Sequence, residues 1–324
     1  MKARAARGRR ILPLLLSAAV VIVGCAGQAA PAGAPSVARD IDPGGTPGRG
    51  LAFDFGSLWV PVGDKGTIAR IDPASGKIAA AFAVSDLTRV PARAHVNHAA
   101  PLAVTSAFGA MWAIGADGLL ARIDPTTKDV TTFDVGVVGG DIAASDTALW
   151  ITAYDDGALV RFDPAARSVS TTITGLGGLF GVAVGFGSVW VVNKTGHQVL
   201  RLDPTSGAVV ARIPAERNPD FVTVGAGSVW VTRESPRAVL RIDPSANAVA
   251  ATIPGESAWG QGTGIAFYDG AVWAGFLVRI DPATDKVTAA FAGTGVQEGL
   301  AFGAGSAWVA DTTRVHQIPL ALVR

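Results

Sequence analysis

Four histidines, four glutamates and a single cysteine are the side chains of this 324-residue sequence best suited to move protons, hold metals or act as nucleophiles. The histidines are His95, His98, His197 and His316, and the glutamates are Glu216, Glu234, Glu256 and Glu298. No glutamate stands within ten residues of a histidine, so the sequence offers no local His/Glu acid–base pair. There is no Ser-His-Asp arrangement, phosphate-cradling loop or nucleotide motif. His95 and His98 fall in Arg89–His98, a stretch with Arg89, Arg93 and Asn97. If it turned helically they would share a metal, and its two arginines would suit an anion; an excursion holding no ligand is the plainer expectation. Asp155-Asp156 is the best local carboxylate pair, but a Mg²⁺ or Ca²⁺ site needs more converging oxygens, so a solvated turn is expected and no metal site is assigned. One cysteine excludes a disulfide framework and a cysteine-based zinc site.

The elements that must position these groups come from a repeat of about forty residues. Trp59, Trp112, Trp150, Trp190, Trp230, Trp273 and Trp308 each sit in a short apolar segment such as GSVWV. Arg-x-Asp-Pro follows, starting at Arg70, Arg122, Arg161, Arg201, Arg241 and Arg279, while the seventh copy, near Arg314, lacks its Asp-Pro. In the fourth copy, 181–185, 188–193, 198–203 and 208–213 read as strands from their β-branched composition and alternation. Asp203-Pro204-Thr205-Ser206-Gly207 is turn chemistry between the last two. Four antiparallel strands repeated seven times predict an all-β fold, a seven-bladed β-propeller. The middle of each first strand is small (Ala52, Ala103, Ala143, Ala183, Thr223, Ala266, Ala301), as blades converging on an axis require. Residues 36–41 match the fourth-strand segments and are expected to close the ring as the outer strand of the last blade; the alternative is Leu320–Arg324.

The propeller divides its loops into two faces. First-to-second and third-to-fourth turns share one, and they are short and repetitive. Second-to-third turns and blade-to-blade loops share the other, and they carry all four glutamates. Binding groups concentrate in loops on a rigid scaffold. The ligand-binding candidates are therefore His95, His98, Tyr154, His197, Arg217, Arg233, Glu234, Glu256, Trp259 and Glu298, with Asp155 and Asp156 as the weak metal candidates. The plain preference of charges for exposed loops explains part of this clustering. The repeated Trp and Arg positions recur too regularly to form one site and read as packing.

The N-terminus reads as an address. Lys2, Arg4, Arg7, Arg9 and Arg10 precede an apolar run from Ile11 to Val23, shorter than the roughly 20 residues of a bilayer crossing. The run ends Ile22-Val23-Gly24-Cys25, which resembles a bacterial lipobox. That resemblance implies cleavage before Cys25 and a diacylglyceryl group on its sulfur. The expected organisation is a signal peptide at 1–24, a lipidated flexible tether at 25–35 and the propeller at 36–324, exported and held to the outer side of a bacterial membrane. Removing 1–24 leaves 22 Lys+Arg against 26 Asp+Glu, a net charge of −4, and no basic excess argues for nucleic acid.

The units GSVWVVNKTGHQVLRLDPTSGAVVARIP and GSVWVTRESPRAVLRIDPSANAVAATIP resemble bacterial YVTN/NHL-type propeller repeats and those of streptogramin lyases, over about residues 36–318. In the lyases the resemblance implies a Mg²⁺-assisted elimination that opens a cyclic ester through His and Glu, and no such pair maps onto this sequence. The expected function is a monomeric binding scaffold, not an enzyme, taking an unnamed small molecule or protein at the variable face, with no cofactor. The alternative is a streptogramin-lyase-like carbon–oxygen lyase or hydrolase at the channel mouth, for which Mg²⁺ would be the cofactor.

Overall fold

The computed structural model describes residues 39–91, 102–255, 264–275, 277–290 and 299–323. These form seven four-stranded antiparallel sheets whose innermost strands pack side by side around one axis. The fourth blade shows the pattern: Leu179–Gly185, Ser188–Asn193, Gln198–Leu202 and Val209–Pro214, from the axis outward. Its second strand is buried throughout, because it lies inside its own sheet and between two neighbouring blades.

The repeated tryptophans fill the space between blades, as their regularity implies. Trp59, Trp112, Trp150, Trp190, Trp230 and Trp308 are fully buried. Six of the seven donate Nε1–H to the carbonyl five residues earlier, in the preceding turn. Trp150 does not, because Ser145–Ala148 builds a different turn there. Each Arg of the Arg-x-Asp-Pro series pairs across the sheet with its tryptophan. Arg70 and Arg201 reach the next blade, donating to the Pro125 and Pro244 carbonyls. The Asp of each signature accepts amide hydrogens from its own turn, as Asp203 does from Thr205 and Ser206.

The ring closes through its N-terminal strand. Arg39–Ile41 pairs antiparallel with Val315–Pro319, with Arg39 opposite Gln317 and Ile41 opposite Val315. His316 reinforces the seam: Nδ1 lies 2.7 Å from Asp40 Oδ1 and Nε2 lies 2.9 Å from Asp311 Oδ2. Leu320–Leu322 forms a 3-10 turn and adds no strand. The seventh counterpart of the signature arginine is Gln317, not Arg314. Gln317 faces Trp308 and donates to the Pro73 carbonyl of the first blade, repeating the interblade contact with an uncharged side chain.

The inner strands approach most closely two residues before their small middle position. A Cβ on Gly181 would lie 2.8 Å from Phe221 Cα and 2.9 Å from the Asp220 oxygen; one on Gly50 would lie 2.6 Å from Ala103 Cβ. Glycine there lets neighbouring backbones touch. On the outside, Ile78, Val130, Val210, Val249 and Val287 are exposed at the start of five outer strands, immediately after the Asp-Pro turns.

Candidate functional site at the axial mouth

Three blades carry a side chain where the other four have that glycine. In the second blade Thr105, not Ala103, faces the repeated tryptophan, so the counterpart is Ala103; in the third it is Asp141 and in the fifth Phe221. All three border a hollow at the axis, on the face of the blade-to-blade loops. Its lining comes from five successive blades: Arg49 and Gly50, Leu102 and Ala103, Asp141 and Tyr154, Leu179 and Phe180, then Phe221. The enclosed part measures about 20 Å³, room for about one water, so a ligand would seat on the mouth and insert a single group.

Asp141 ties the third blade to the fourth. Its Oδ2 accepts from Val182 N–H at 3.0 Å and its Oδ1 from Ile142 N–H at 2.9 Å. The residue keeps partial exposure at the mouth, yet its carboxyl lies deep in the ring. Burial therefore dominates: it raises the pKa to about 6, against the lowering effect of the two amides. A carboxyl that exchanges its proton near neutral pH is suited to hydrogen bonding in either direction or to general acid–base work.

Aromatic rings and cations complete the mouth. Phe180 packs against Phe221 with centroids 5.2 Å apart and against Tyr154 at 6.4 Å, both edge-to-face. Arg49 lies 5.2 Å and the Lys194 ammonium 4.7 Å from the Phe180 centroid, a favourable cation–π geometry. Lys194 is held 2.9 Å from buried Asp220 and 3.2 Å from Glu234. Burial pulls its pKa down, but Asp220 and then Glu234 outweigh that, and the net shift is upward. The result is a charged cluster beside an apolar mouth.

Most other described polar residues of this face have structural partners. In successive blades the second-to-third turn grips the preceding blade-to-blade loop. Asp64 Oδ1 accepts from Thr46 N–H, Asp117 Oδ2 from Asp86 N–H and Asp156 Oδ2 from Val138 N–H. Asn193 donates to the Leu176 carbonyl, and Thr195 accepts from Gly178 N–H. In the fifth blade buried Arg233 pairs with Glu216 and donates to the Pro236 carbonyl. The polarity of this face is thus in large part the stitching between blades. The exposed His197 ring takes a long 3.5 Å contact from Asn218 N–H, and Arg217 is exposed beside it. A hollow of about 240 Å³ lies under Arg89, Asp117, Asp134 and Asp156. Among the described residues no group of three or more His, Cys, Asp or Glu is placed to hold a metal.

Of the residues singled out from sequence, the structure brings Tyr154 to the mouth and Glu234 to its charged edge. His95, His98, Glu256, Trp259 and Glu298 lie outside the described residues, as does Cys25. Asp141, Phe180, Phe221 and Arg49 were not among the sequence candidates. The signal for Asp141 and Phe221 was present: they interrupt the glycine that Gly50, Gly181, Gly264 and Gly299 supply two positions before the small inner-strand residue.

No protein-family model matches the chain, and no curated protein matches it in sequence. A solved streptogramin B lyase structure superposes with a TM-score of 0.72 over 86% of this chain and 96% of that one, at 16% identity. The chain shares that protein's fold.

Proposed function

We propose that the protein is an exported lipoprotein, held by a diacylglyceryl group on Cys25 to the outer side of a bacterial membrane, whose propeller binds a small molecule at the axial mouth. The carrying observation is the meeting of Asp141 with Phe180, Phe221 and Tyr154 in an axial hollow lined from five blades. Such a mouth suits a ligand that lays an aromatic or branched apolar group on the rings and hydrogen-bonds to Asp141. The lipid anchor rests on the lipobox-like residues 22–25 and the basic, apolar stretch before them. Replacing Cys25 by Ser should move the protein out of the membrane fraction, and unchanged fractionation contradicts the anchor. Native mass spectrometry of protein extracted from its own membranes tests the site. A non-covalent adduct that disappears in Tyr154→Ala/Phe180→Ala supports it, and an adduct indifferent to that pair overturns it.

A second reading, a streptogramin-lyase-like lyase or hydrolase, is favoured by the elevated Asp141 pKa beside the axis and by the shared fold. In it Asp141 takes a proton from a substrate carbon or from water. Because the described residues assemble no metal cluster, no step is assigned to Mg²⁺. Incubation with a cyclic depsipeptide separates the outcomes. Hydrolysis adds one water to the mass, and elimination opens the ring without changing it. Turnover that vanishes in Asp141→Asn at retained fold would establish this reading, and an intact ring would dismiss it.

A further inference from the structure

Among the described residues, the Asp-Pro turn face exposes more large apolar side chains than the variable face. Ten large hydrophobic residues are exposed among the described residues, and only Leu87 lies toward the variable face. Five of the others are the outer-strand residues that follow the Asp-Pro turns. The remaining four stand at tips: Phe55 (38% exposed), Phe108 (41%) and Phe186 (42%) in first-to-second turns, and Leu322 (47%) after the last strand. The three phenylalanines have left-handed backbone, with φ of 49°, 51° and 53°. Gly, Asn or Asp takes that conformation more cheaply in a hairpin turn, and the fifth, sixth and seventh blades place Ala226, Asp269 and Ala304 there. A bulky apolar group held at a strained, solvent-facing tip points to a role outside the fold.

The chain also enters the ring from this face. Arg39 begins the closing strand opposite Gln317 and donates to the Ala74 carbonyl in the first Asp-Pro turn, whereas Ile41, further on, lies nearer the variable face. Residues 25–38 span at most about 50 Å when extended and about 20 Å as a flexible coil. A strand of six residues is itself about 20 Å long. An anchor at Cys25 would therefore lie within reach of the turn face, the side on which the chain joins the ring.

We propose that the Asp-Pro turn face is a lipid-docking surface: Phe55, Phe108, Phe186 and Leu322 enter the interfacial layer of the bilayer that carries the anchor, and the axial mouth faces away from it. The proposal rests on the lipid-anchor reading. Exposed Lys77, Lys128, Arg167 and Lys286 lie among the turns, but the turn aspartates offset them, so contact should be apolar and insensitive to salt. Anchoring by one chemistry plus a second, weaker apolar contact follows the general two-signal logic of peripheral attachment.

The test uses the full lipidated chain in phosphatidylcholine vesicles with brominated acyl chains. A thiol-reactive bimane is placed at Ala304→Cys, a tip on the turn face, or at Arg217→Cys on the variable face. Under the anchor reading the Cys25 sulfur is a thioether and takes no label. The expected result is quenching several-fold stronger at position 304 than at 217, unchanged by salt or anionic lipid, and lost at 304 when Phe55, Phe108 and Phe186 are all changed to Ser with an unaltered melting temperature. Vesicle-bound protein with equal quenching at both positions, or stronger quenching at 217, overturns the docking face alone. Wild-type protein that takes label at Cys25 and stays out of the vesicle fraction overturns the anchor and the docking face together.

Discussion

The turn face and the variable face are built from the same seven repeats, yet they solve different problems. On the turn face each blade satisfies itself: an aspartate accepts the amides of its own Asp-Pro turn, and the next blade is reached only by an Arg or by Gln317. The variable face works between blades, with Asp64, Asp117, Asp156 and Asn193 each gripping the loop that arrives from the blade before. Within that cross-stitching the axis is a place where the described blades differ, and there Asp141 and Phe221 stand where four blades have glycine. Self-contained turns, by contrast, leave their tips free, and three of those tips carry phenylalanine. Position in the repeat, more than residue type, separates structural polarity from polarity available to a ligand.

The seam between the first and last blades should respond most strongly to damage. Deleting residues 36–41 removes the strand paired with Val315–Pro319 and the Asp40 side of the His316 bridge, exposing an unpaired edge. A fall in melting temperature of about 10 °C or aggregation is expected, while deleting residues 26–35 should change little. Equal melting temperatures for the two truncations would contradict the closure.

Asp141 separates the faces by pH. Its folded pKa, about 6, is raised by burial above the ordinary carboxylate value of 3.8, so its contribution to stability is complete below pH 3.8 and is lost as pH rises through about 6. The loss is about 3 kcal/mol at most. Asp141→Asn should flatten that part of the stability curve in denaturant titrations between pH 4 and 7.5. The turn aspartates act in the opposite sense. Hydrogen bonds from Ser206 lower the Asp203 pKa, so its contribution is present above pH 3.8 and is lost as pH falls further. An unchanged pH 4–7.5 slope in Asp141→Asn would show that its carboxyl is not buried in the way described.

Close approach at the neck is a smaller effect. In Gly181→Ala a Cβ would meet backbone atoms of the fifth blade at 2.8–2.9 Å, and destabilisation of about 1–3 kcal/mol is expected by chemical denaturation. A neutral result would mean that the inner strands slide apart freely. Smallest of all, Asp203→Ala or Asp243→Ala should lower the melting temperature slightly and leave ligand binding intact.

The architecture was legible because its causes repeat. Seven tryptophans, six Arg-x-Asp-Pro signatures and small inner-strand residues each have one physical role, and residues 36–41 matched the outer strands closely enough to predict the closure. The site was less legible because it depends on exceptions. Loop charges such as Asp156 and Arg233 looked available in sequence, but their backbone and ion-pair partners come from loops 17 to 18 residues away. Asp141 reads as an ordinary loop aspartate until the glycine of four other blades is aligned against it. Phe180 and Arg49 gain their meaning only where blades one, four and five meet.

A small-molecule fragment library screened by saturation-transfer NMR tests most directly whether ligands bind the axial mouth. The wild type is compared with Tyr154→Ala/Phe180→Ala at the mouth and with Asp203→Ala/Asp243→Ala on the turn face, all at matched fold. The account predicts that most hits are lost in the mouth pair and retained in the turn pair. Hits that persist without Tyr154 and Phe180 but disappear with the turn aspartates would place binding on the opposite face and contradict it.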